Sequence, residues 1–399
     1  MRRAALAAAV GAAVLLVSWG LLHVGFYDRN QIVDTPTYQR YGEAMLDGKA
    51  PYRDFSVEYP PGALPVFLLP SLAAGDDYRG VFEALMLACG VAAIFFVAAA
   101  LAAVGASDAR LFAATTFAGL APLALGSVVL TRFDLWPAAL TAAALAALVA
   151  GRERLGFGVL GLAVAAKLYP AVLIPLALVY VSRRRGSREA WACVAVLAAV
   201  LTAAFLPFAV LSPDGLRESF ERQVARPLQV ESLGAASLLA VHQIDGAYVP
   251  SVVSSHGSQN LEGELPDVLA TVLTALQVGA LVAVWVSFVG GRGGRESLLT
   301  SSAAAVAAAV AFGKVLSPQF LIWLVPLVPL VAGGAGVAAS AVLACALVAT
   351  QLWFPYRYWD VVALTGAGWL VLVRDLILVA LVGVLLGAIR RGRGSLRTE

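Results

Sequence analysis

The residues of this chain that could do chemistry crowd into one polar stretch near its start. Residues 27–62 read YDRNQIVDTPTYQRYGEAMLDGKAPYRDFSVEYPPG. Carboxylates stand at Asp28, Asp34, Glu43, Asp47, Asp54 and Glu58, interleaved with rings at Tyr27, Tyr38, Tyr41, Tyr52, Phe55 and Tyr59. That mixture suits a sugar, whose C–H faces stack on rings and whose hydroxyls donate to carboxylates. A carboxylate so placed can also act as general base toward a hydroxyl. Asp34 is the first candidate; Asp54 and Glu58 are alternative bases or sugar ligands. Thr35-Pro36 followed by TYQRYGEAMLDG reads as a short helix, so a plain N-capping role for Asp34 competes with the catalytic one.

A second set is cationic. Arg132 lies in TRFD, Lys167 in KLYP, Arg226 in RPLQVES, Lys314 in GKVLSPQF and Arg357 in PYRYWD, each at the end of an apolar stretch. A cation at or near membrane depth needs a partner. Local acids offer one: Asp134 for Arg132, Glu231 for Arg226, Asp360 for Arg357. Lys167 and Lys314 have no acid nearby in sequence. The other reading is that these cations converge on an anionic head group, most simply a phosphate. Tyr169 and Gln319, beside Lys167 and Lys314, complete the candidate substrate-binding residues. Arg374-Asp375 reads as a structural pair within the membrane.

Other chemistries are missing from the sequence. GGRGG (290–294) and GGAG (333–336) read as cytoplasmic turns and lack the Lys-Ser/Thr of a phosphate-cradling loop. There is no GxSxG elbow. His23, His242 and His256 are scattered, and no Cys/His pair has metal-ligand spacing. Cys89, Cys193 and Cys345 all lie inside apolar runs, which argues against a disulfide framework. No basic tract interleaves with aromatics, so nucleic acid is excluded as an expected partner.

The elements that must position these residues are membrane helices. The chain is 60% hydrophobic and 13% charged, against about 45–50% and about 25% in soluble domains. We therefore expect an all-α polytopic membrane protein, a single transmembrane domain over 1–399. Apolar stretches predict about twelve helices: 4–26, 80–104, 110–128, 135–150, 156–168, 170–182, 190–211, 267–290, 297–313, 319–333, 337–353 and 366–388. The first is long enough to span a bilayer and reads as an uncleaved helix, not a signal peptide. Residues 61–74 are short, contain Pro65 and Pro70, and fit a juxtamembrane or re-entrant helix. Long extracytoplasmic loops are expected over 27–79 and 212–266. No internal repeat stands out.

Charge orients the scheme. With both termini in the cytoplasm, the inner segments collect fifteen arginines, from Arg2 and Arg3 to Arg397 and including Arg292 and Arg393. Against them stand only Asp108, Glu153, Glu189, Glu296 and Glu399. Residues 156–182 test the arrangement. As one span they would place GRERL and SRRRGSR on opposite faces, with Lys167 near the bilayer centre at about 2.5–3.5 kcal/mol. As two half-length helices with a corner at Lys167-Leu-Tyr-Pro170, both basic loops return to the inner side. Each half of about 13 residues rises only about 20 Å, so the corner sits in a water-filled cavity below the outer surface.

These residues also carry a resemblance. Asp34, then TYQRYGEAMLDGKAPYRDF and EYPPG, is similar to the first extracytoplasmic loop of the polyprenol-phosphate-mannose-dependent mannosyltransferases of glycosyltransferase family 87, within the membrane-embedded GT-C superfamily. RFDLWPAAL, GLAVAAKLYPAVLIPL, RPLQVES and SPQFLIWLVPL resemble further blocks of that family in the same order. The resemblance implies a GT-C-like fold with its active site at the outer membrane–water boundary. It implies a polyprenyl-phosphate sugar as donor, with mannose as the sugar and arabinose or glucose left open, and a lipid or glycan as acceptor. It implies a first-loop carboxylate as general base, which Asp34 matches; on our own reading of the residues, Lys167, Arg226, Lys314 and Arg357 stabilise the charge on the departing phosphate. Displacement inverts the anomeric carbon. Many GT-C relatives carry an acidic pair or a divalent metal; no Asp-Asp or Asp-Glu dyad stands beside Asp34, and no cofactor is expected. A transporter or flippase for a lipid-linked or anionic solute is the competing class, although it needs its ionisable groups near the midplane. A non-catalytic envelope scaffold is the third.

Overall fold

The computed structural model describes residues 2–29, 31–73, 77–246, 248–291 and 293–394. Arg292, Arg397 and Glu399, counted above among the inner charges, lie outside these, as does the side chain of Arg393. Contacts group the chain into two units, one of residues 1–24, 32–123 and 127–224 and the other of 25–31, 124–126 and 225–399.

The first unit contains α1 (Arg2–Leu21), α2 (Thr35–Leu46), α3 (Leu64–Ala73), α4 (Tyr78–Ala103), α5 (Asp108–Leu125), the short α6 (Val128–Thr131), α7 (Leu135–Val149), α8 (Glu153–Ala166), α9 (Ile174–Arg185), α10 (Ser187–Leu211) and α11 (Pro213–Val224). Two glycines bring helices of this unit close together. A Cβ on Gly11 would stand 2.7 Å from the Thr115 carbonyl oxygen, and one on Gly119 would stand 2.5 Å from that of Gly11. Small residues let α1 and α5 meet backbone to backbone, which is how helices associate where lipid removes the hydrophobic drive between them. Gly119→Val is expected to cost about 1–3 kcal/mol through overpacking, read as a lower thermal midpoint of the detergent-purified protein.

The stretch expected to bend at Lys167 does so. α8 stops at Ala166, Lys167 takes an extended conformation, and a 3-10 turn over Tyr169–Leu173 leads into α9. The two basic ends meet. Arg154 pairs with Glu189 at 2.8 Å and Arg185 with Glu153 at 3.0 Å. A straight helix would hold residues 153 and 185 about 48 Å apart, so these pairs require the hairpin. Pro170 and Pro175 supply the corner by removing backbone donors.

The second unit contains α12 (Leu233–Asp245), α13 (Glu264–Val289), α14 (Arg295–Ala311), α15 (Gly333–Gln351), the short α16 (Tyr358–Val362) and α17 (Gly368–Gly394). It corrects the all-α expectation. β1 (Leu228–Gln229), β2 (Ser251–Ser255) and β3 (Ser258–Glu262) form an antiparallel sheet in the order β1-β3-β2. Its hairpin turns at His256-Gly257, both at positive φ, the conformation that suits a two-residue turn between twisted strands. Two further expectations shift. Residues 319–333 form 3-10 turns, Pro318–Trp323 and Val328–Leu330, instead of an α-helix. Pro318, Pro326 and Pro329 each remove a backbone donor, and no regular helix survives that spacing. The GGAG tract opens α15 instead of forming a separate turn. Arg374 and Asp375 are fully buried and bonded at 2.6 Å, as the structural reading expected.

Six helices among the described residues are long and apolar enough to cross a membrane on their own: α1, α4, α10, α13, α15 and the first part of α17. That is half the expected twelve. Residues 61–73, 135–149 and 318–330 are apolar but shorter, and below about 17 residues a straight helix does not reach across the hydrocarbon core.

Candidate active site

The site of the first unit grows from the corner at Lys167. Because α8 ends at Ala166, the Lys167 side chain turns back toward the start of α7. Its Nζ stands 2.6 Å from Asp134 Oδ1 and 4.7 Å from the centre of the Phe133 ring. Asp134 is fully buried, and a buried carboxylate without a cation would carry a large desolvation cost. Two residues earlier, Arg132 reaches the other way. Its Nη1 lies 3.0 Å from Asp34 Oδ1, and its side chain is 6% exposed against 34% for that of Asp34.

Asp34 occupies the N-cap position of α2 but makes no side-chain capping bond. Its backbone carbonyl accepts from the amides of Thr37 and Tyr38 at 2.9 and 3.2 Å. The helix start is thus satisfied by main chain, and the carboxylate turns to Arg132. The Tyr38 hydroxyl, 3.4 Å from Oδ2, is its other neighbour. The result is a carboxylate with one oxygen ion-paired to a buried guanidinium and a third of its surface open.

Aromatic rings wall this pair. Tyr38 stacks on Phe67 with centroids 4.6 Å apart, and Tyr59 meets Phe133 edge-on at 4.9 Å. Their bulk keeps water from Arg132, and in a low-dielectric surrounding the ion pair strengthens. The PPG turn holds the loop in place. Trp136 Nε1 donates to the Gly62 carbonyl at 3.2 Å, and a Cβ on Gly62 would stand 2.5 Å from the Ala165 carbonyl carbon. Only glycine allows the loop to dock on the end of α8 beside the corner.

The other first-loop acids are placed differently. Asp54 is gripped by Nε and Nη2 of Arg53, each at 2.9 Å, and by the Ala50 amide at 2.7 Å. The Arg53 bonds, then the Ala50 amide, hold its carboxyl down at about 2. A group that weakly basic clasps a turn better than it removes protons. Glu58 is half-buried, and its backbone carbonyl accepts from Gln223. Tyr41 is pushed up to about 12 by burial and, after that, by Glu58, so it stays a protonated donor. Tyr169 is buried and shares a 3.0 Å hydrogen bond with Thr141. Arg132, Asp134 and Tyr169, expected as substrate ligands, are thus buried against protein partners, and Lys167, expected without an acid, has Asp134. The local pairing of Arg132 with Asp134 gives way to pairing across the fold.

The second unit holds the remaining candidates. Arg226 donates to Ser258 Oγ at 3.0 Å. Lys314 is half-buried, and its ammonium is held below the ordinary lysine range by burial and then by Arg226. Glu231 is buried and accepts from Gln229 Nε2, which also donates to Ser317 Oγ at 2.8 Å. Arg374 donates to the Glu231 carbonyl at 2.7 Å and lies over the Trp353 ring. Gln319 is half-buried on its 3-10 turn, and Arg357 is exposed. Among the described residues no ion pair joins Arg357 to Asp360. Sequence reasoning named the blocks RPLQVES and SPQFLIWLVPL but did not single out Gln229 and Ser317 within them, because neither carries a charge.

Among curated proteins no match is found. The model of glycosyltransferase family 87 matches residues 57–318, well over half of the chain. The match takes in Glu58, Arg132, Asp134, Lys167, Arg226, Glu231 and Lys314; Asp34 precedes it, and Gln319 and Arg357 follow it. With its apolar helices and this match, the chain belongs to glycosyltransferase family 87 and is a membrane glycosyltransferase.

Proposed function

We propose that the protein transfers a sugar from a polyprenyl-phosphate donor to a lipid or glycan acceptor on the outer face of the cytoplasmic membrane, with Asp34 as general base. The sugar we propose is mannose. The observation that carries this reading is the state of Asp34: a partly open carboxylate, excused from capping and aimed by a buried arginine. In the reaction, Asp34 takes the proton of an acceptor hydroxyl as its oxygen bonds to the anomeric carbon. The bond from that carbon to the phosphate oxygen breaks, and its electron pair leaves with polyprenyl phosphate. The carbon inverts. The leaving group is already a stable anion, so no strong acid is required. Arg132 is a positioning residue: it orients Asp34. Lys167 and Asp134 hold the Arg132–Phe133–Asp134 turn in place. In the second unit, Arg226 and Lys314 form a like-charged pair suited to a phosphate.

Membership in a glycosyltransferase family favours transfer over the transport and scaffold readings. The test incubates purified protein with radiolabelled polyprenyl-phosphate-mannose and a membrane lipid extract. A labelled lipid or glycan product is expected. Movement of intact donor across proteoliposomes without product would favour a flippase instead.

A further inference from the structure

The first loop and α11 enclose a cleft of about 250 Å³ that the Asp34 network does not use, lined by Tyr52, Asp54, Phe55, Glu218, Ser219 and Arg222. Its floor is built under constraint. Tyr52 is 4% exposed and sits at φ 66°, a left-handed conformation that a bulky residue adopts only when its surroundings impose it. Three contacts impose it here. The Tyr52 hydroxyl donates to the Tyr59 carbonyl at 2.6 Å, its own carbonyl accepts from Ser212 Oγ at 3.0 Å, and its ring meets Phe208 edge-on at 5.2 Å. On the α11 side a Cβ on Gly215 would stand 1.9 Å from the Tyr52 carbonyl oxygen, so only glycine permits the approach.

The rim is what a neutral polyol requires. Arg53 grips Asp54 through two bonds at 2.9 Å, and Arg222 pairs with Glu218 at 2.6 Å. Two carboxylates and two guanidiniums cancel in charge yet offer acceptors and donors at set positions. Exposed pairs of this kind add little stability. A phosphate would meet both carboxylates, and an amine both guanidiniums. Phe55 contributes an apolar face, and Ser219 a hydroxyl with no side-chain hydrogen bond among the described residues. The volume falls below the ~300 Å³ at which drug-sized pockets begin, room for one ring and not for an oligosaccharide.

We infer that this cleft is a saccharide subsite that holds one neutral sugar ring of the acceptor, because the donor's phosphate is refused there. The assignment of that ring to the acceptor rests on the transferase reading above. The test uses the full chain in lipid nanodiscs and saturation-transfer NMR, with methyl α-mannoside, methyl α-glucoside, methyl β-galactoside and methyl α-arabinofuranoside as probes. At least one probe is expected to receive saturation. Ser219→Trp, which fills the cleft, should weaken its binding more than tenfold, Glu218→Gln and Arg222→Gln about fivefold, and Asp34→Asn not at all. Silence from all four probes, or equal binding in Ser219→Trp, overturns the subsite. Should Ser219→Trp fail to fold, unchanged binding in both Glu218→Gln and Arg222→Gln overturns it as well. Probe binding that Ser219→Trp abolishes, in a protein that yields no labelled transfer product, would leave the subsite standing and remove the transferase mechanism, so the two failures are separable.

Discussion

Asp34→Asn is expected to lower sugar transfer by about 10²–10⁴-fold, the contribution of a positioned general base, while leaving donor binding and yield near wild type. The amide keeps the shape of the carboxylate and an oxygen for Arg132 at its 3.0 Å position. What it loses is the ability to accept the acceptor's proton. Asp54→Asn is the control. The Asp54 carboxyl is held near 2 by Arg53 and the Ala50 amide. Its clasp is therefore complete above the ordinary carboxylate range and is lost only as pH falls through about 2. Asp54 cannot supply an acid limb to a pH–rate profile between pH 5 and 9, and its replacement should leave that profile's shape unchanged. Near-normal turnover in Asp34→Asn, measured with labelled donor under single-turnover conditions, would withdraw Asp34 as the base.

Lys167→Met is expected to be the most destabilising of the charge deletions, by about 3–5 kcal/mol, the usual cost of stranding a buried partner. The reason is the burial of Asp134, which is 1% exposed and would lose the ammonium that stands 2.6 Å from its carboxylate. The thermal midpoint in detergent should fall by about 5 °C or more. The double variant Lys167→Met with Asp134→Leu removes both charges and should recover most of that loss, because a well-packed apolar pair replaces a buried ion pair at little cost. Its activity separates positioning from stability. If the pair serves to hold Arg132 against Asp34, the recovered double variant should keep its KM for donor and lose kcat by at least tenfold. Full kcat in that variant would reduce the pair to packing.

Much of this molecule is legible one residue at a time. Its membrane character follows from composition, and its helices from apolar runs bounded by charge, glycine and proline. The bend at Lys167 is legible too: a single span would set GRERL and SRRRGSR on opposite faces, and would leave a lysine just ahead of a proline in lipid, which is costly. The bend therefore had to be a corner, and the Arg154–Glu189 and Arg185–Glu153 pairs close it. The strands at 228–229, 251–255 and 258–262 were less legible, since residues 212–266 are too mixed for strand alternation to stand out. The 3-10 turns over 318–330 yield to proline spacing, a signal that hydrophobicity masks.

The sequence alone determined that this chain is a membrane protein, that it bends at Lys167, and which polar residues could do chemistry. Only the tertiary structure decided who pairs with whom. Arg132 takes Asp34, 98 positions away, over Asp134 two positions away, and Lys167 takes Asp134 across 33. The physical reason is that charge pairing in a buried setting is governed by distance through space and by desolvation. Those are fixed by where helices end and how closely glycines such as Gly62 let them approach, and no separation along the chain encodes either.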